Sequence, residues 1–178
     1  MSENKKTVVV YRSSTGFTKN YATWLAEELK CDLLEGKKTK ASDLTKYDTI
    51  VYGGGLYAVG LSGIKLITKN FDQLKGKKII IFAVGASPSR EGTAQVVRKA
   101  NIPAEIDEYI QFFYLRGGFD YNRLSPFMKL LMNLKKLQVK SVQDKDPDAK
   151  GFLASYEHPM DFTNKKYLKP ILESIGGK

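Results

Sequence analysis

The sequence predicts an α/β fold: a doubly wound sheet of five parallel strands with helices on both faces. Two observations carry that prediction. Five short, nearly unbroken apolar runs recur along the chain, as expected of strands buried on both sides. Stretches with helical apolar spacing separate them, and alternation of the two element types favours parallel pairing over hairpins.

Taken in order, residues 8–10 (Val-Val-Val) are the first strand. It stops at the hydroxyl-rich turn Ser13-Ser14-Thr15-Gly16-Phe17-Thr18. Tyr21, Ala22, Leu25, Ala26 and Leu29 then fall on one helical face. Residues 31–35 read as a second strand, 36–40 as a loop and 42–46 as a brief turn. The third strand is 48–52, ending at Gly53-Gly54-Gly55, and a helical pattern with Ile64, Leu66, Ile67 and Phe71 follows. After a turn at 76–78 comes the strongly apolar fourth strand, 79–84, closing at Gly85. Residues 93–100 are helical and stop before Pro103, and 110–115 are the fifth strand. The last helix is expected to start with Asp161 as its N-cap and to run to 175, kinked at Pro170. No linker or repeat marks a second domain, so 1–178 is read as one domain with an insert at 119–150.

Composition narrows the chemistry. The 178 residues hold 29 Lys plus Arg against 19 Asp plus Glu, a formal charge of +10. Such a balance suits an acidic partner (anionic lipid, nucleic acid or a small carboxylate), or serves solubility alone. No Arg-rich tract or nucleic-acid motif is present, so no nucleic-acid partner is expected. The single cysteine, Cys31, excludes an intrachain disulfide and is read as a core residue. With His158 as the single histidine, no metal site is expected, and a structural role for His158 is preferred to a general base. No apolar run spans a bilayer and no signal peptide is read at the N-terminus, so a cytoplasmic protein is expected.

The turn at 13–18 carries the first functional argument. A strand feeding a tight turn and a helix start leaves unpaired N–H groups pointing outward, where the helix dipole favours an anion. Four hydroxyl side chains add donors, while the absence of Lys favours a phosphate held by neutral groups. The plainer alternative is a helix cap. In parallel sheets, ligands sit beyond the C-terminal strand ends, which here are the loops 12–18, 53–63 and 85–92.

The segment Ser13-Ser14-Thr15-Gly16-Phe17-Thr18 resembles the phosphate loop of flavodoxins, [ST]-x-T-G-x-T. The spacing to Gly53-Gly54-Gly55-Leu56-Tyr57 and to Gly85-Ala86-Ser87-Pro88-Ser89 fits the family's two flavin-ring loops. The resemblance implies a flavodoxin-like sheet in the order 2-1-3-4-5 and FMN as cofactor. It further implies that Ser13, Thr15 and Thr18 donate hydroxyls to the phosphate and that Ser14, Gly16 and Phe17 donate backbone N–H groups. Gly54, Gly55 and Leu56, with Gly85, Ala86 and Ser87, would border the ring, and Tyr57 would lie against it. The glycines at 53–55 would serve either a tight turn or a peptide flip toward the N5–H of reduced flavin. The third loop departs from the family pattern in lacking a second stacking Tyr. Rival phosphate sites lack their signatures: no Gly-x-x-x-x-Gly-Lys-[Ser/Thr], no Gly-x-Gly-x-x-Gly, no Cys-x5-Arg, and Arg12-Ser13 where a receiver domain would hold acids.

The insert is the second unusual region. Pro126 starts a helix within 124–137, with Phe127, Leu130, Leu131, Leu134 and Leu137 on one face. Met128 and Met132 flank that face; Lys129, Asn133 and Lys136 lie opposite. The stripe reads either as core or subunit contact, or as a basic amphipathic helix docking on a membrane or partner. Residues 144–148 read as a solvated loop. Together with Arg116, Gly117, Tyr121, Arg123 and Asp161-Phe162, the segment Phe-Met-Lys-Leu-Leu-Met resembles flavodoxin-type protoporphyrinogen IX dehydrogenases. That resemblance implies FMN-dependent oxidation of a porphyrinogen with electrons passed to quinone, and Arg116, Arg123, Lys129 and Lys136 meeting substrate propionates. Three functions stay open: an FMN-binding redox protein carrying electrons between a donor and an acceptor, the tetrapyrrole dehydrogenase, and a non-catalytic adaptor docking by its basic helix. No catalytic residue is assigned.

Overall fold

Runs of β-branched and aromatic residues cannot leave either face in water, so they pair into a sheet covered on both sides. In the computed structural model, which describes residues 5–140, 151 and 153–176, this happens five times. The parallel strands β1 (Thr7–Arg12), β2 (Asp32–Glu35), β3 (Thr49–Tyr57), β5 (Lys78–Gly85) and β6 (Ile110–Arg116) lie in the order β2-β1-β3-β5-β6. Counting parallel strands alone, that is the 2-1-3-4-5 order. Register places Val9 between Leu33 and Val51, and Ile81 between Tyr52 and Phe112.

Alternation along each strand separates two cores. Val9, Val51, Ile80, Phe82 and Val84 face helix α1 (Phe17–Leu29) and the C-terminal helix α7 (Lys169–Gly176). Val8, Val10, Ile50, Tyr52, Ile79 and Ile81 face the other side. There α2 (Ala41–Leu44), α3 (Lys65–Thr68), α4 (Thr93–Asn101) and α5 (Ala104–Asp107) cover them. Each fully buried Val, Ile or Leu contributes roughly 1.5–3 kcal/mol relative to exposure, so the central strands dominate stability.

Several boundaries differ from the sequence reading, each for a packing reason. The third strand does not stop at residue 52. β3 runs through Gly53, Gly54 and Gly55 to Tyr57, then turns at Ala58-Val59 into the antiparallel β4 (Gly60–Leu61). None of the three glycines has a positive φ; what they supply is room. A Cβ on Gly53 would sit 2.1 Å from Phe82 Cζ, and one on Gly54 would sit 2.8 Å from both Leu61 Cδ1 and the Ser62 carbonyl oxygen. The helical pattern at 64–71 is split into α3 and a 3-10 turn, Phe71–Leu74, with Asn70 donating its side-chain amide to the Leu66 carbonyl at the break.

At the C-terminus, Asp161 is not a helix cap. Met160–Asp161 (β8) pairs antiparallel with Gly118–Phe119 (β7), and the Asp161 carboxylate accepts from the Thr163 N–H and hydroxyl. Asn164 caps a 3-10 turn, Lys165–Leu168, by accepting from the Lys166 N–H. Pro170 then falls in the first turn of α7, where its missing N–H costs nothing, so no kink is needed.

Within the insert, α6 (Pro126–Lys140) begins at the predicted proline, and the Ser125 hydroxyl accepts from the Met128 N–H. The stripe is not core among the described residues: Phe127, Leu130, Leu131, Leu134 and Leu137 are 43–67% exposed. The opposite face rests on the body instead. Tyr156 donates its hydroxyl to the Met132 carbonyl, while Lys129 lies over the Tyr121 ring and Lys136 over the Tyr156 ring. The expected loop at 144–148 lies outside the described residues.

Candidate functional site

Three loops gather at the C-terminal edge of the sheet, on strands β1, β3 and β5. The first is 13–18. Gly16 adopts φ 98°, a left-handed conformation that suits glycine, and it turns the chain directly into α1 without a side-chain cap. The first intrahelical bond is Asn20 N–H to Gly16 O, at 3.0 Å. The N–H groups of Phe17, Thr18 and Lys19 therefore precede any intrahelical acceptor. Ser13 Oγ accepts the Gly16 N–H at 3.1 Å, which holds the loop closed and leaves the Ser13 hydroxyl proton free to donate outward. Phe17 points its ring inward against Gly118, so it can offer only backbone to a ligand. Thr18 is buried, and the space a Cβ on Gly55 would fill lies 3.4 Å from its hydroxyl. The result is a concave set of neutral donors at the positive end of a 13-residue helix.

The second loop is the β3–β4 hairpin, which carries Leu56 and Tyr57; the Leu56 side chain packs against the core on the face away from α1, so only its backbone is available to a ligand on the α1 side. Leu56 pairs with Leu61 and Tyr57 with Gly60; Ala58 at the tip has φ 54°. Asn101 at the end of α4 clamps it: its carbonyl accepts the Leu61 N–H at 2.7 Å, and its amide donates to the Val59 carbonyl at 2.6 Å and the Val97 carbonyl at 2.7 Å. Gly53 and Gly54 are locked between β1 and β5, and the Gly55 carbonyl accepts from the Ser62 N–H. The tight turn expected of these glycines lies instead at Ala58-Val59.

The third loop leaves β5 at Gly85, which is buried because Tyr114 occupies its missing side-chain space, with the hydroxyl 2.4 Å from an added Cβ. Tyr114 donates that hydroxyl to the Ser87 carbonyl at 2.7 Å, and Ala86 and Ser87 are exposed. Burial raises the Tyr114 pKa, so it stays a donor.

The four basic residues expected to act together occupy separate stations. Arg116 lies with its guanidinium carbon 3.6 Å from the centre of the Phe162 ring, and its buried Nε has no hydrogen-bond partner among the described residues. Its carbonyl accepts the Tyr21 hydroxyl at 2.6 Å; that hydroxyl also accepts the Asn164 N–H, and burial pushes its pKa up to about 12. Arg123 reaches back to the first loop and donates to the Thr15 carbonyl at 3.1 Å. Lys129 and Lys136 lie on their tyrosine rings, as above. Asn101 and Tyr114 hold the second and third loops, and sequence reading missed both. An Asn at a helix end reads as an ordinary cap residue, and a Tyr within a strand reads as core.

An α/β protein with an anion cradle and two flanking loops at one sheet edge belongs to a well-populated class. The model of the flavodoxin domain matches residues 8–147. The chain belongs to the flavodoxin-domain family. Among solved structures it is similar to the two-electron reduced flavodoxin of Megasphaera elsdenii, at 19% identity over 62% of this chain and 85% of that one, with a TM-score of 0.46. Flavodoxin 2 of Bacillus cereus is 19% identical over 62% and 84%, with a TM-score of 0.45. A flavoprotein of Lactobacillus acidophilus, solved in complex with FMN, is 19% identical over 63% and 93%, with a TM-score of 0.42. No curated protein matches the sequence.

Proposed function

We propose that this chain binds FMN and carries electrons between a reduced donor and an acceptor. The observation that carries the reading is the cradle at 13–18, set beside the Tyr57 hairpin and the Gly85 loop within a flavodoxin domain. The residues fit the group. The hydroxyls of Ser13, Thr15 and Thr18 and the N–H groups of Ser14, Phe17 and Thr18 would hold the phosphate; the Gly16 N–H, expected among these donors, is taken by Ser13 Oγ. Gly55, Leu56 and Tyr57, with Gly85, Ala86 and Ser87, would border the ring system. Bound FMN supplies reversible one- and two-electron transfer; the protein supplies position and electrostatics. Mixing the purified chain with FMN tests the reading. A yellow holoprotein with a shifted flavin spectrum is expected, and no binding at micromolar FMN would remove it.

The outward leucine face of α6 supports a finer reading. Here the protein is an FMN-dependent dehydrogenase of an acidic tetrapyrrole, delivering electrons to quinone at an anionic bilayer. Residues 121–140 contain Arg123, Lys129, Lys135, Lys136 and Lys140 and no Asp or Glu. A second copy on this face would bring like charges together, whereas anionic headgroups attract it by about 1 kcal/mol per cation near the surface. An exposed leucine face on a helix that carries only cationic charge suits a helix lying in the interface. Among the described residues no helix is long and apolar enough to cross a membrane, so the contact would be peripheral. Co-sedimentation with phosphatidylglycerol vesicles is expected, and neither uncharged phosphatidylcholine vesicles nor high salt should sustain it. Porphyrinogen oxidation coupled to a menaquinone analogue tests the substrate; a holoprotein inert in that assay would leave only the electron carrier.

A further inference from the structure

The cradle at 13–18 contains no charged side chain, yet one is brought to it from far along the chain. Arg123 ends the 3-10 turn Tyr121–Arg123 that leads into α6. Its Nη1 donates to the Thr15 carbonyl at 3.1 Å, and it is also the atom nearest to where a Cβ on Gly16 would stand, at 3.3 Å. The guanidinium thus lies over the left-handed residue that opens α1. Its Nε pairs with Asp120 Oδ2 at 3.1 Å; the Asp120 side chain is only 13% exposed, and its other oxygen accepts the Asn122 N–H at 3.0 Å. Asp120 is therefore a fixed post that aims the arginine. Nη2 has no protein acceptor among the described residues, and the side chain as a whole is 62% exposed.

We infer that Arg123 is the charged member of the cofactor site, pairing with the phosphate of FMN; the inference rests on the FMN reading above. The geometry suits a phosphomonoester. Neutral N–H and hydroxyl donors line the cradle on the helix side, and a fork-shaped cation with free N–H groups closes it from the insert. Arg12, the nearest cation in sequence, cannot take this part, because its side chain runs toward Gly63 on the opposite face of the sheet. Arg123 is thus a determinant of specificity for the phosphorylated flavin over riboflavin.

Flavin fluorescence titration with FMN and with riboflavin, on wild type, Arg123→Gln and Arg123→Lys, tests this. Gln keeps a neutral donor for the Thr15 carbonyl and removes the charge. The side chain is mostly in solvent, so Arg123→Gln should fold. We expect it to weaken FMN about tenfold, the size suited to a partly exposed charge-assisted contact, and to leave riboflavin within twofold. Lys should recover part of the loss, and raising salt should weaken FMN binding less in the Gln variant than in wild type. Equal losses for both flavins would make Arg123 a brace of the loop and overturn the inference. So would wild-type FMN affinity in Arg123→Gln. A wild type that binds neither flavin removes the cofactor reading, and this inference with it. A wild type that binds FMN no more tightly than the Gln variant removes Arg123 alone.

Discussion

Gly53→Ala is the substitution on which the structure speaks most sharply. The added methyl would lie 2.1, 2.4 and 2.7 Å from three atoms of the Phe82 ring, where favourable carbon contacts need about 3.5–4.0 Å. The ring must retreat by more than an ångström, yet Phe82 is fully buried between α1 and the sheet. Nor can the backbone yield, because Gly53 is paired to Tyr11 on one side and Phe82 on the other. Overpacking of this kind costs about 1–3 kcal/mol or more, and the lower chain entropy of Ala returns only about 0.5–1 kcal/mol. A net loss of about 2 kcal/mol is expected in urea unfolding, or about 4–8 °C in Tm for a chain of this size. Phe82→Leu alone should lose roughly 2 kcal/mol to the cavity it opens. In the double variant the clash is gone, so the two losses should fall short of additive by about 1–2 kcal/mol. Additive losses, or a Gly53→Ala variant within 0.5 kcal/mol of wild type, would refute the argument. If the variant unfolded normally but lost flavin, the glycine would be there for the cofactor and not for Phe82.

Other perturbations separate stability from binding. Tyr21→Phe removes the hydroxyl that joins Arg116 to Asn164 and should cost about 1–3 kcal/mol in chemical denaturation. The folded Tyr21 pKa is raised from 10.0 to about 12, so the unfolded chain loses its proton first. Stability is therefore complete below pH 10 and falls as pH rises toward 12, and Tyr21→Phe should flatten that fall in a pH series. Asn101→Ala unclamps the β3–β4 hairpin. It should cost about 1–2 kcal/mol and weaken FMN and riboflavin alike, in contrast to Arg123→Gln. Leu130→Gln with Leu134→Gln should shift stability by less than about 0.5 kcal/mol each while abolishing vesicle binding, because both side chains are exposed. With FMN bound, the two-electron midpoint should be less negative than that of acidic flavodoxins and should move negative with added salt. The chain is +10 and residues 53–63 hold no Asp or Glu. A potentiometric titration insensitive to salt would count against this.

The central strands were legible because burial on both faces leaves short unbroken apolar runs, which their length and the glycine-bearing turns after them distinguish from helix. Gly53, Gly54 and Gly55 hid the rest of β3, since a residue without a side chain shows no period of two. The hairpin after them was hidden as well, because Ala58-Val59 carries none of the Asn-Gly chemistry that marks a two-residue turn. Pro170 was misread through Asp161: starting the helix too early put the proline inside it, and its real start at Lys169 makes the same proline ordinary. For α6, periodicity located the apolar stripe but could not say which face meets the body. Lysine ammonium groups can lie over tyrosine rings, so the face bearing Lys129 and Lys136 became the inner one. The cradle was readable as a local motif. The arginine above it was not, because Arg123 and Thr15 are 108 positions apart and no local pattern joins them.

The short pair formed by β7 and β8 has a consequence for how such a protein can be rebuilt. Gly118 faces Asp161, Phe119 faces Met160, and the Phe162 N–H reaches the Gly117 carbonyl at 3.0 Å. The chain thus leaves the body of the domain at β7 and rejoins it at β8, a two-stranded doorway already fastened by main-chain hydrogen bonds. The described residues between 120 and 159 form an excursion whose two ends are neighbours. It is a cassette: a two-residue turn could replace it without lengthening any path in the sheet, and the same doorway could accept a foreign excursion. The charged strap and the leucine face travel together in that cassette, so one edit would remove both and leave a minimal flavodoxin domain behind.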